Sequence, residues 1–180
     1  MTEDILKYAE EAKTLGIRGY TSTPDEDLML SLWWSEMRDS GELSDIFSAS
    51  CQALGNFYPV FKPPNCLFYK LDDRGPQLML WAAPLLSAAC VGIWLAPRSR
   101  LDTEVYRAAQ LIYYALFQIY PVNLGITKRK KLLTTFESLG YNIVGEIPGL
   151  IDNEPTWVVH LSKEAFENSK LNPDTHDPRR

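Results

Sequence analysis

The chain has 180 residues, 46% hydrophobic and 12% aromatic, enough to bury one core and too apolar for disorder throughout. Its 18 Lys and Arg against 23 Asp and Glu leave a formal net charge of -5, which excludes a chain-wide cationic surface for nucleic acid. Cys51, Cys66 and Cys90 form neither a paired spacing nor a His/Cys cluster, so no disulfide framework and no metal site is indicated, and a reducing cytoplasmic setting fits them.

The opening segment, MTEDILKYAEEAK, is acidic and lacks an apolar run, unlike a signal peptide. Ile5, Tyr8, Ala9, Ala12 and Leu15 recur at helical spacing over residues 4–15, and Gly16 and Gly19 stop that helix. Residues 17–22 suit a first strand. Thr23, Pro24 and Glu26 announce the next helix: Thr23 can cap, Pro24 suits the first helical position, and Glu26 completes a capping box. Its apolar face is expected to carry Leu28, Leu32 and Trp33. Trp33 and the adjacent Trp34 point about 100° apart on a helix, so the pair is a candidate partner surface. A further helix is expected at 43–54, followed by a proline-rich loop or edge strand at 58–65.

Strands are expected at 66–71, 77–84 and 88–97, with a turn at 72–76. The apolar run over 78–97 is interrupted by Pro84 and Ser87, and two adjoining buried strands account for it better than a membrane span. Val105, Ala108, Ala109, Ile112, Leu116 and Ile119 mark a helix over 103–120, ended by Pro121. A short strand follows at 122–126. Leu132, Leu133, Phe136 and Leu139 form the apolar face of another helix, with Gly140 as its stop. Strands at 141–147 and 155–161 close the sheet, and residues 170–180 are expected to be a flexible tail.

This order, the spacing over 127–163 and the Leu139-Gly140-Tyr141 ending resemble the GNAT-type (GCN5-related) acyl-CoA N-acyltransferases, most clearly over residues 60–165. The resemblance implies one α/β (α+β) domain over residues 1–169, with a mixed, mostly antiparallel central sheet flanked by helices. It also implies acetyl-CoA lying between the strands at 88–95 and 122–126. Backbone near Ile93, Trp94 and Leu95 would hold the thioester, and Arg98, Arg100, Thr103 and Arg129 stand where the CoA moiety would fall. No metal is implied.

Several positions depart from the family pattern. Thr103 and Val105 stand where small residues are usual, and Asp102 and Glu104 put two negative charges at the phosphate seat. Like charges a few ångströms apart cost roughly 1 kcal/mol even in water. An acidic first turn with Asp102 or Thr103 as the cap is an ordinary helix start. Arg129 replaces a frequent Asn, and Phe136 replaces the frequent Tyr general acid; a phenyl ring delivers no proton. Glu137, Glu146 and His160 remain as candidate bases. Lys128, Arg129, Lys130 and Lys131 oppose the dipole at the start of a helix, so they serve CoA phosphates, a nucleic-acid backbone (the reading least supported, given the net charge), an acidic protein face or only solvent. Together these departures favour a chain that keeps the fold, has lost catalysis and acts as a structural or interaction module. Virion-associated proteins of some phages, similar to degenerate GNAT domains of this size, provide the analogy. The alternative is an active acetyl-CoA-dependent N-acetyltransferase acting on an amine. An open cleft between the two strands would favour the enzyme; a cleft plugged by Trp94 would exclude it.

Overall fold

The computed structural model describes residues 3–39, 65–151 and 153–179; the helix expected at 43–54, the expected loop up to residue 64 and the side chain of Trp34 lie outside the described residues. Strands β1 (Ile17–Gly19), β2 (Cys66–Asp72), β3 (Gly75–Leu85), β4 (Ala88–Leu95), β5 (Val122–Thr127), β6 (Asn142–Ile151) and β7 (Glu154–Ser162) form one sheet in the order β1-β2-β3-β4-β5-β7-β6. Every neighbouring pair is antiparallel except β4 and β5. The helices are α1 (Glu3–Thr14), α2 (Pro24–Asp39), α3 (Thr103–Phe117), α4 (Leu133–Ser138) and α5 (Lys163–Glu167). This is the mixed, mostly antiparallel α/β domain expected from the sequence.

The period-2 alternation of β3 sorts the core into two layers. Leu78, Leu80 and Ala82 face a large cluster with Ala89 and Val91 of β4 and Val105, Ala108, Ile112 and Leu116 of α3. Met79 and Trp81 face the other side, with Leu67 and Tyr69 of β2, Trp94 of β4, and Leu30 and Trp33 of α2. The apolar face of α2 is therefore Leu30 and Trp33, whereas Leu28 and Leu32 are exposed. Apolar residues occur all around this helix, so periodicity alone does not select a face. Trp33 is not an exposed partner surface: it is buried and meets Trp94 edge to face, ring centroids 5.0 Å apart.

Two glycines are required by their neighbours. A Cβ on Gly92 would lie 2.0 Å from Cζ2 of Trp81, so the missing side chain is the space the indole occupies. Gly140 takes φ +94°, and a Cβ there would sit 2.8 Å from that of Ser169. It ends α4 as expected, although the basic run ahead of it forms a 3-10 turn, Lys130–Leu132, before the α-helix begins.

The capping box at α2 is present. The Glu26 backbone N–H donates to Thr23 Oγ1 at 3.4 Å, and the Thr23 N–H donates to Glu26 Oε2 at 3.3 Å. Glu26 also accepts from Thr21 N–H at 3.0 Å and from the buried Tyr69 hydroxyl at 2.6 Å, tying the cap to the sheet. Partial burial alone would raise the Glu26 pKa; the hydrogen bonds from Tyr69, Thr21 and Thr23 outweigh it and hold the carboxyl at about 2.

The segment expected to fray is docked instead. Arg107 and Gln110 of α3 are buried polar side chains that need partners. Arg107 grips Glu11 of α1 with two bonds of 2.9 Å and donates to the Pro173 carbonyl at 3.0 Å. Gln110 Nε2 donates to the Lys170 and His176 carbonyls. Tyr8 adds a hydrogen bond to Asp174, and Leu171 is buried in the core. Among the described residues no helix is long and apolar enough to cross a membrane.

Two outcomes follow for stability. Gly92→Ala is expected to cost about 1–3 kcal/mol by overpacking against Trp81, read as a shifted denaturant midpoint. The contribution of Glu26 is complete above its unfolded value of 4.5 and is lost as pH falls toward about 2. Glu26→Gln should therefore narrow the difference in midpoint between pH 7 and pH 3.

Candidate functional site

The parallel seam between β4 and β5 is short. It pairs Ala88 with Val122, Ala89 with Asn123 and Cys90 with Leu124, and there it stops. β4 nevertheless continues to Leu95 and β5 to Thr127, each held in register by its other neighbour, β3 and β7 respectively. Beyond Cys90 and Leu124 the two strands have parted, and the backbone polar groups along this edge have no partner strand.

A cavity of about 590 Å³ occupies the fork. Its β4 wall is Ile93, Trp94 and Leu95, and Thr127 ends the β5 wall. α3 provides its floor through Asp102, Val105, Tyr106, Ala109 and Tyr113, residues that share one helix face. Phe136, Leu139, Tyr141 and Leu171 complete it. Trp94 borders the space but does not plug it, because its ring is packed in the opposite layer against Trp33. The cleft is open.

Charge is concentrated at one end. Arg100 and Lys131 are exposed, Arg129 is half-buried, and all three line the cavity together with Asp102. Three cations thus face one carboxylate. Asp102 is the N-cap of α3: its carboxylate accepts from Glu104 N–H at 2.9 Å and from Val105 N–H at 3.3 Å. It occupies donors that an anion at this helix start would otherwise use.

The opposite end is neutral and polar. Tyr113 and Tyr141, both buried, join hydroxyls at 2.8 Å, and Phe136 meets the Tyr141 ring edge to face. Burial pushes the Tyr113 phenol up to about 12 and that of Tyr141 well above its ordinary value, so both remain protonated.

Of the residues expected to meet CoA, the fold brings Ile93, Trp94, Leu95, Arg100 and Arg129 to the cavity. Arg98 is elsewhere. It pairs with Asp72 at 3.0 Å and donates to the Gly75 and Pro76 carbonyls, clamping the β2–β3 hairpin. Thr103 is exposed and outside the lining. Lys128 forms an ion pair with Glu154 at 3.3 Å, and Lys130 is exposed. Neither lines the cavity, although Lys131 does. The candidate bases are also not among the lining residues: Glu137 is exposed on α4, Glu146 is exposed on the edge strand β6, and His160 on β7 is paired across to Leu124 and Asn142. Among the described residues no group of three or more His, Cys, Asp or Glu side chains is placed to hold a metal.

The sequence reading missed Tyr113 and Tyr141 as a pair. Each fits a core aromatic, and only the meeting of α3 with the start of β6 joins their hydroxyls. It also missed Leu171, which reaches the cavity because Arg107 and Gln110 anchor the tail. The cap assignment is testable: Asp102→Ala is expected to lower stability by about 1 kcal/mol, while Thr103→Ala leaves the denaturant midpoint nearly unchanged.

No protein-family model and no curated protein matches the sequence. Solved structures match the fold. A variant of spermidine N-acetyltransferase from Vibrio cholerae superimposes with a TM-score of 0.61 at 11% identity, covering 89% of this chain and 99% of that one. An aminoglycoside N(6')acetyltransferase from Legionella pneumophila gives 0.62 at 14% identity, with 85% and 95% covered. A GCN5-related N-acetyltransferase from Kribbella flavida gives 0.52 at 13% identity, with 82% and 98% covered. The chain has the GNAT acetyltransferase fold.

Proposed function

We propose that the cleft between β4 and β5 is an acyl-CoA site and that this chain transfers an acetyl group from acetyl-CoA to an amine. The observation that carries the reading is the fork itself: the ladder ends at Cys90 and Leu124, and a cavity of about 590 Å³ opens where the strands part. Arg100, Arg129 and Lys131 then bind the phosphates by charge-assisted hydrogen bonds. The unpaired edge of β4 near Ile93 to Leu95 holds the thioester carbonyl. The amine nitrogen attacks that carbonyl carbon, a C–N bond forms and the C–S bond breaks. CoA leaves as the thiolate, the amine nitrogen's proton passes to water, and the released thiolate is protonated by solvent. Among the described residues the cavity lining holds no His and no Glu, and its one carboxylate, Asp102, is engaged in the α3 cap, so on this reading the acceptor amine enters already neutral or loses its proton to water.

A second reading has its own support. Asp102 spends the α3 donors on its cap, and Phe136 leaves no phenol at the position where the resemblance places a general acid. On that reading the chain is a non-catalytic interaction module, and the cations meet an acidic partner protein.

Calorimetric titration of the full chain with acetyl-CoA separates the two. The expected result is micromolar binding that weakens about tenfold or more in Arg129→Ala or Arg100→Ala. Asp102→Asn, which keeps a capping side chain but removes its charge, should bind more tightly, most visibly at low salt. Neither heat nor thermal stabilisation at millimolar acetyl-CoA would sink the acyl-CoA reading and leave the interaction module.

A further inference from the structure

The hydroxyl pair at the inner end of the cleft has a proton to spare. Two hydroxyls sharing one hydrogen bond use one of their two protons, and the other has no acceptor among the described residues. With Tyr141 donating, that free O–H belongs to Tyr113. A buried donor without an acceptor is costly, so a polar atom of a ligand in the cavity is its natural partner.

Position says which atom. From Asp102 to Tyr113 the cavity follows α3 for about 16 Å, at 1.5 Å rise per residue. Cations mark one end and the neutral hydroxyl pair the other. CoA has the same polarity, with phosphates at one end, sulfur at the other and an extended arm between. We propose that the Tyr113 hydroxyl, anchored by Tyr141, donates a hydrogen bond to the CoA sulfur as the C–S bond breaks. This rests on the acyl-CoA reading.

The chemistry is that of a fixed donor rather than a general acid. A phenol raised to about 12 does not surrender its proton to a thiolate whose conjugate acid lies near 8.5. It keeps the proton and stabilises the charge. As the amine forms its bond to the acyl carbon, the C–S electron pair stays on sulfur, and the Tyr113 O–H remains intact. Hydrogen bonds to a charged acceptor are roughly twice as strong as those to a neutral one, so the gain grows as the thiolate develops. Phe136, half-buried beside Tyr141, has no donor to contribute.

The test needs neither an acceptor amine nor turnover. The full chain is saturated with CoA and the thiolate absorbance of the bound ligand is followed against pH, in wild type and in Tyr113→Phe. The bound thiol is expected to titrate about one pH unit lower in wild type than in Tyr113→Phe, a tenfold change in the thiol–thiolate ratio. Arg100, Asp102, Tyr106, Arg129 and Lys131 also face the cavity, but they act equally on both proteins, so the difference isolates the hydroxyl. Tyr141→Phe keeps the donor, removes its anchor and should give an intermediate value, which preserves the test if Tyr113→Phe does not fold. Equal titration of bound CoA in wild type and both variants overturns the Tyr113 role while leaving the CoA site standing. Failure of wild type to bind CoA overturns both.

Discussion

The site depends on where one ladder stops. β4 is paired with β3 along its whole length and β5 with β7 along its whole length, so each half of the sheet is rigid. Only three residue pairs stitch the halves together. The cleft is therefore not a gap in a poorly packed molecule. It is the place where two well-formed half-sheets diverge over a common helix, α3, whose Val105 and Ala109 sit in the core while bordering the space. Backbone groups along the parted edges must be satisfied by solvent or by a ligand.

Around that fork the electrostatics are graded. Arg100, Arg129 and Lys131 gather at the open end, and Asp102 partly offsets them because its charge serves the α3 cap. The Tyr113 and Tyr141 hydroxyls stay neutral at the inner end, where burial disfavours the phenolate. A ligand with an anionic head and an uncharged reactive tail matches this gradient better than a uniformly charged one. The same architecture supports two outcomes, and they differ in whether the cations suffice against Asp102. That balance is one of Coulomb terms of a few kcal/mol at most near solvent, which is why fold alone does not decide function.

Much of the scaffold was legible before any coordinates. The capping box at Thr23 and Glu26, the apolar strand runs of β2 to β4 with the turn at 72–76, and the Gly140 stop are local patterns, each with a local cause. The errors came where two local patterns competed. α2 offers Leu28 and Leu32 on one face and Leu30 and Trp33 on another, and the sheet surface selected the second pair. Arg98 and Arg100 are equivalent as sequence, but Arg98 lies within reach of Asp72 and the β2–β3 turn, and so is withdrawn from the cleft. The tail reads as polar and rich in proline, yet buried Arg107 and Gln110 on α3 required its carbonyls as acceptors.

Sequence by itself determined the order of the seven strands and of helices α1 to α4 among the described residues, and the helix starts at Thr23 and Asp102, because these follow from turn chemistry and side-chain periodicity within a few residues; it did not signal α5. It also identified the departures at Asp102, Arg129 and Phe136. Tertiary structure alone decided that the cleft is open, that Trp94 turns away from it, that the cations collect at one end, and that Tyr113 meets Tyr141 at the other. These depend on distances between segments far apart in the chain. No local pattern encodes them, since the parting of β4 from β5 is set by what each strand pairs with on its far side.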